Sequence, residues 1–534
     1  MKLSTITKQV SFLMLLFLMP PALHGANHDI GGIIYNLNTT NMRASVQGPG
    51  SSKAVPSKLV IPDKVTYKNK TYTVTSVANE AFHGETAITS LQLGSNIETI
   101  GTLAFCDTKI KTVTWPKKLR IIGRSAFWGT EIVNLNLPSS LEIIRGSAFG
   151  LCGQLKTVTF SGSKLTEIGE GAFYSCKSLT SIAIPSSVTT MGKETFFDCL
   201  SLTSVTLSPK VTVIPVSAFE NCPIANLTIP STVTAISEAA FCKCATPWLT
   251  IPSSVKSIGD WAFALATSEN ITLNEGLQSI GKGAFSQCYK LQYIVIPSSA
   301  KSIGVEAFAY SAIKTAIIPA TLTNIPERMF FENPLTGLSF PDGVQTIGKE
   351  AFANNRLLEY VNFSPTVKVI GDHAFWGCSE LEAVNFHNGL QVIGPAAFSG
   401  CYSIKKIDIP VTVTEIDTDA FIGCWDLMDI MAANPTPCNL MKDGFSSDTY
   451  NRCRLTVPDG TVDTYRSASE WSRFKYIQQM TGIDDIIADE DTEIESVTYY
   501  DHLGRIVANP VPGSVYIAVT TYTSGRRTSK QQRL

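Results

Sequence analysis

The chain is 534 residues long, with 43 basic and 45 acidic side chains, a formal charge of −2 and only 16% charged residues. That balance excludes an electrostatic footprint for nucleic acid or for an anionic membrane surface. Hydrophobic residues make up 44%, ample for a long core.

Lys2 and Lys8 open the chain, Val10 to Met19 is mostly apolar, and Pro20, Pro21, Ala22, Gly25 and Ala26 follow. This order predicts a secretory signal peptide over residues 1–25. The apolar run falls well short of the ~20 residues a spanning helix needs. No later stretch is long enough, so no integral membrane span is expected. The first cysteine is Cys106, so none stands near the cleavage site to carry a lipid. The expected destination is secretion or the cell surface.

In residues 26–76, Asp29–Asn36 and Thr71–Val77 have strand composition. The stretch from Asn38 to Lys58 between them is rich in Gly, Ser, Pro and Asn and predicts turns and loop. Leu59–Pro62 is a partial copy of the pattern that follows. A stacked array exposes the apolar edge of its first coil, so this segment is expected to form an N-terminal cap. Tyr35, Tyr67 and Tyr72 are its candidate covering residues.

From 77 to 430 the chain repeats. Sixteen phenylalanines, beginning Phe82, Phe105, Phe127 and ending at Phe421, follow one another at intervals of 22 to 24 residues. A fixed period of this size predicts a solenoid. In one copy, Leu179, Ile182 and Ile184 have the alternation of a half-buried strand. Pro185 ends that strand, having no N–H for the ladder. Val188 and Met191 begin a return run, Gly192 allows a turn, and Phe196 fills the core.

The position three after each phenylalanine is cysteine in nine copies, and otherwise Thr, Ala, Ser or Asn, with Glu85 in the first. Such residues suit an inner column that packs tightly or satisfies backbone groups at a turn. The thiols are expected to be buried and inert. The close pair Cys242 and Cys244 lacks the second pair or the histidines of a zinc site. Stacked cysteines fall within disulfide reach, but their parallel Cβ directions argue against cross-coil bridges.

The outward positions of the strands carry hydroxyls, amides and some aromatics. Asn134, Asn136, Trp248, Tyr293, Tyr360 and Asn362 are the candidate ligand contacts, since exposed aromatics are the usual anchors of an interface. A bare threonine ladder needs no ligand, because Thr suits strands. Trp128 and Trp376 follow the repeat phenylalanine directly and are expected to be packing or turn residues.

The motif I-G-x-x-A-F-x-x-C-x-x-L-x-x-V-x-I-P resembles the BspA-like class of leucine-rich repeats, the bacterial surface-antigen type. Leu179, Ile182, Ile184 and Cys199 occupy that family's strand and Cys/Asn positions. The resemblance implies a leucine-rich-repeat solenoid of about sixteen 22–24-residue coils, with a parallel β-sheet lining one face. It also implies an origin in Bacteroides-like bacteria, members of the Bacteroidetes, with export and adhesion to a host or matrix protein; a glycan is the other partner expected for the sheet face.

After Phe421 the period is expected to stop, and residues 431–480 to form a C-terminal cap. Arg454–Pro458 predicts one more strand. Val462 to Phe474 places Val462, Tyr465, Trp471 and Phe474 on one helical face. Cys438 and Cys453, fifteen residues apart, are a candidate disulfide, worth about 3 kcal/mol on the loop-entropy account. Residues 481–534 begin with an acidic linker and continue as a small β module. Its elements YDHLGRIV, NPVPG and VYIAV resemble the C-terminal sorting module of Bacteroidetes secreted proteins, the alternative being a plain β-sandwich appendage; either implies attachment or export.

The six histidines fall into no metal-binding spacing, and no nucleophile elbow, P-loop or dinucleotide fingerprint occurs. The paired acids Asp484 and Asp485 lie in the linker. No catalytic residue, cofactor or metal ligand is therefore expected. The expected function is non-enzymatic binding through the sheet face; the alternative is a surface spacer with no specific ligand.

Overall fold

A computed structural model describes residues 25–480 and, beyond them, the strands Ile494–Tyr500, Ile506–Val507, Val515–Tyr522 and Arg527–Arg533. The predicted signal peptide lies outside the described residues, apart from Gly25. The repeats form a parallel β-solenoid of about 18 turns of roughly 23 residues, held by three separate ladders.

The first ladder joins the longer strands. Ser181–Ala183 pairs in parallel with Ser204–Thr206, Ser181 opposite Ser204. The middle residues Ile182 and Val205 turn into the core, while Ser181, Ala183 and Thr206 lie on the outer face. The second ladder comes from the return run, as strands of only two residues: Glu167–Ile168 pairs with Thr190–Met191. Glycine closes that run because coils touch there. A Cβ on Gly192 would stand 2.2 Å from the Glu170 backbone nitrogen.

The third ladder is the turn that carries the phenylalanine. The N–H groups of Leu103, Phe105 and Asp107 donate to the carbonyls of Arg124, Ala126 and Trp128 in the next coil, at 2.9, 2.8 and 2.8 Å. Leu103 and Asp107 both adopt positive φ, 56° and 58°. Between them, Phe105 is driven fully inside. Its ring stacks on Phe82 and Phe127 with centroids 5.6 and 5.3 Å apart.

This ring stack runs the length of the array at 5.2 to 5.7 Å per step. It does not stop at Phe421. Phe445 stacks on Phe421 at 5.2 Å and bridges to it in parallel. The period therefore continues for one further coil, in which Gly444-Phe445 replaces the usual Ala-Phe.

The inner column answers the carbonyls of the phenylalanines. Cys176 Sγ donates to Phe149 O in the preceding coil at 3.2 Å, and Cys401 Sγ to Phe375 O at 3.2 Å. Ser311, Asn333 and Asn355 do the same to Phe285, Phe308 and Phe330, each at 2.9 Å. One buried acceptor per coil explains why the column tolerates Cys, Ser and Asn alike.

All thirteen cysteines are free and buried. The candidate bridge between Cys438 and Cys453 is thus absent from the structure. Cys438 precedes Asn439–Leu440, which belongs to the two-residue ladder, whereas Cys453 precedes Arg454–Val457, which joins the longer strands. The two thiols start strands in different sheets.

At the N-terminal end, Asn27–Ile30, Ile33–Asn38 and Arg43–Pro49 form an antiparallel ribbon. Its last strand lies in the stretch expected to be loop. That strand pairs in parallel with Lys70–Val77, which in turn pairs with Thr99–Ile100 of the two-residue ladder. Tyr35 and Tyr72 are buried, and Tyr67 packs half-buried against the core.

At the other end the expected helix over 462–474 is broken. Val462–Ser467 is helical, Trp471–Arg473 forms a 3-10 turn, and Phe474 is already extended. The break lets Tyr465, Trp471 and Phe474 all turn inward. The last four strands of the chain form an antiparallel sheet. Arg527–Arg533 is a strand that the sequence did not suggest, and residues 510–513 lie outside the described residues. Among the described residues, no helix is long and apolar enough to cross a membrane.

Candidate functional site

The sheet face separates the six candidate contacts. Asn134 and Asn136 are exposed, but their carbonyl oxygens accept hydrogen bonds from Thr157 and Thr159 of the next coil at 2.6 and 2.7 Å. Asn362 is only 5% exposed, contrary to its expected outward role. Its amide donates to Ser339 Oγ at 3.2 Å and accepts from Asn385 at 2.7 Å, so it is part of a cross-coil amide ladder. Tyr293 and Tyr360 are half-buried. The Tyr360 ring lies over Gly337, where an added Cβ would meet Cζ at 2.3 Å.

Trp248 stands apart at 62% exposure. It borders a shallow groove of about 500 Å³ together with Ser204, Thr206, Asn226 and Thr228. The groove lies at one of several interruptions of the first ladder: Asn226–Thr228 pairs with Ser204–Thr206, and Trp248–Ile251 pairs with Asn270–Leu273, with no strand pairing between the two sets. In neighbouring coils the residue before the strand, such as Thr203 or Ala225, donates its N–H to the preceding coil; Pro247 has no N–H to give. The side chains of Thr206, Asn226 and Thr228 have no hydrogen-bond partner among the described residues, unlike those of Asn134 and Asn136.

A second groove, of about 590 Å³, lies on the turn face and was not foreseen. His83, Cys106, Asp107, Arg124, Trp128, Glu170, Tyr174 and Glu194 line it. Trp128 does pack, as expected: its ring covers Gly150 and stacks on Tyr174 at 6.2 Å, which stacks on Phe197 at 5.1 Å. Trp376 keeps 40% exposure. Burial, then the neighbouring Asp107 carboxylate, pushes the Cys106 thiol up to about 12. Burial also raises Tyr174, with Asp198 adding to it. These side chains come from successive coils and flank the phenylalanine turn. The signal that finds them is a pair of columns, one or two residues after each phenylalanine (His83, Cys106, Asp107, Trp128, Tyr174) and two or three before it (Arg124, Glu170, Glu194), which is invisible in any contiguous motif.

Comparison with known proteins agrees with this architecture. The profile for the BspA type leucine-rich repeat region matches over residues 63–161, 120–246, 212–334 and 323–440, in six copies. The tail lies outside the matched residues. No curated protein matches the chain. Among solved structures, a leucine-rich repeat protein from Bacteroides ovatus is 22% identical, over 85% of this chain and 100% of its own, with a TM-score of 0.49. A leucine rich cell surface protein from Faecalibacterium prausnitzii is 23% identical over 87% and 97%, with a TM-score of 0.30. The pneumococcal vaccine antigen PcpA is 20% identical over 86% and 100%, with a TM-score of 0.31. With the repeat profile covering well over half of its length, and the motif that profile describes building the described coils, the chain belongs to the BspA type of leucine-rich-repeat proteins.

Proposed function

We propose that this protein is an exported, non-enzymatic binding protein of the cell surface, which holds a host or matrix protein or a glycan against its sheet face around Trp248. The observation that carries the reading is the pairing of an exposed indole with uncommitted amide and hydroxyl groups, beside an opening in the strand ladder. An aromatic face with polar groups beside it suits either a sugar ring or a protein anchor. Families of this repeat type are typically non-enzymatic, and the cell-surface and vaccine-antigen descriptions of two similar proteins support a surface role. The predicted signal peptide and the resemblance of the tail to a sorting module support export.

The test is a glycan and matrix-protein array probed with the wild-type chain and with Trp248→Ala. The expected outcome is a saturable ligand whose affinity falls about thirtyfold in the variant, the roughly 2 kcal/mol typical of a hot-spot aromatic, with an unchanged melting temperature. An unaltered affinity would remove Trp248 from the contact. The absence of any saturable ligand would favour the spacer alternative.

A further inference from the structure

The turn-face groove begins at a cluster that has no part in the sheet-face reading. His83 and Cys106 occupy the same position, one residue after the phenylalanine, in adjacent coils, and Asp107 follows Cys106. His83 Nε2 lies 3.7 Å from Asp107 Oδ2, and Cys106 Sγ lies 3.4 Å from the same oxygen. All three donor atoms fall within 4.8 Å of one another. Tetrahedral zinc, with bonds of about 2.0–2.1 Å to nitrogen, 2.0–2.2 Å to oxygen and 2.3 Å to sulfur, sets such donors roughly 3.4–3.6 Å apart. Two of the separations already match to within a few tenths of an ångström.

The backbone holds the cluster in place. Gly84 N donates to Cys106 O at 2.8 Å, and Asp107 N to Trp128 O at 2.8 Å, so both coils are locked on either side of the donors. Asp107 has positive φ, 58°, and its Oδ1 leans over Gly129, where a Cβ would stand 2.5 Å away. His83 and Asp107 are exposed while Cys106 is buried beneath them, so a metal has a route in from solvent. Cysteines of the inner column differ: their Sγ atoms point to phenylalanine carbonyls inside the core.

We propose that His83 Nε2, Cys106 Sγ and Asp107 Oδ2 bind a zinc ion, or a divalent transition metal of similar preference, at the N-terminal end of the turn-face groove. Sulfur, imidazole and carboxylate form a donor set suited to zinc rather than to calcium or magnesium. On binding, the Cys106 thiol proton passes to bulk solvent and the sulfur bonds the metal as thiolate. Three protein ligands leave a fourth position for water.

The experiment uses the full chain stripped with a chelator and titrated with zinc chloride, with bound metal measured after dialysis. Cobalt chloride serves as the spectroscopic probe. The expected result is one equivalent of zinc, and with cobalt a tetrahedral spectrum with a thiolate charge-transfer band. His83→Ala and Asp107→Asn should each weaken zinc binding roughly tenfold or more, and leave the metal-free melting temperature unchanged. Cys106→Ser should remove the charge-transfer band; if that variant does not fold, the two exposed positions decide the matter. No zinc uptake by the wild-type chain at micromolar metal overturns the proposal. So does uptake that His83→Ala and Asp107→Asn leave unchanged.

Discussion

Two residues of nearly every coil sit in the left-handed region, two before and two after the phenylalanine, and most are not glycine. Glu194 has φ 55°, Leu151 55° and Trp261 57°. Left-handed backbone costs an L-residue about 1–2 kcal/mol, whereas glycine adopts it freely. Glycine also gives up about 0.5–1 kcal/mol in unfolded-chain entropy, so the net gain from substitution is about 0.5–1 kcal/mol. Leu151 is exposed and occupies the place that Gly129 and Gly377 fill in other coils, so Leu151→Gly should raise the unfolding free energy read from a urea titration by that amount; a fall would mean that its side chain packs more than its exposure suggests. This conformation was not legible beforehand, because residues such as Glu, Leu and Trp do not signal it. The cross-coil N–H ladder imposes it, and that ladder depends on the neighbouring coil. The inner column was legible, because a buried acceptor restricts side-chain chemistry directly. Asn362 was misplaced because strand alternation gives the face but not the depth: Ser339 and Asn385 close over it.

At the scale of elements, the ring stack is the core. Phe263 lies between Phe241 and Phe285 at 5.4 and 5.3 Å and is fully buried. Phe263→Ala removes ring contacts on both sides and leaves a cavity that the hydrogen-bonded coils cannot close, at a cost of about 3–5 kcal/mol. Hydrogen exchange should speed up in the turns of residues 239–288 before it does so near Phe105; a uniform change along the array would show that the stack unfolds as one unit. The phenylalanine period and the longer strands were plain in the sequence because each residue there has one role in every coil. The two-residue strands were not, since two residues carry no periodicity. The helix over 462–474 failed for a related reason: the apolar spacing is compatible with a helix, yet Trp471 and Phe474 reach Phe445, at 6.3 and 5.4 Å, only through a broken turn. The sheet-face groove was half legible. Trp248 was visible as an outward aromatic, but the opening beside it depends on how two adjacent coils pair, which the sequence of neither coil states.

At the scale of the whole array, each coil is stabilised by its neighbours, so the ends decide where unfolding begins. The last ring, Phe445, is closed by Tyr450, Trp471 and Phe474, which pack edge-on or tilted against it. Trp471 Nε1 donates to Cys438 O at 2.9 Å and the Tyr465 hydroxyl to Asn434 O at 2.8 Å, which fixes the cluster to the final coils. Burying one such side chain contributes about 1.5–3 kcal/mol, so the three that cover Phe445 together contribute roughly 5–9 kcal/mol to the terminal interface. A chain ending after Met480 retains that interface, whereas one ending after Phe445 exposes the ring and the apolar edge of its coil. The shorter chain should lose amide protection from Phe398 to Phe445 and self-associate, while protection from Phe105 to Phe285 stays at the level of the longer chain. Equal protection in the two chains would mean that the final coils hold without a cover; simultaneous loss along the whole array would mean that coupling extends well beyond adjacent coils. The graded outcome is expected because each ring in the described stack meets the rings immediately before and after it, so damage at one end has to pass through every intervening interface to reach the other.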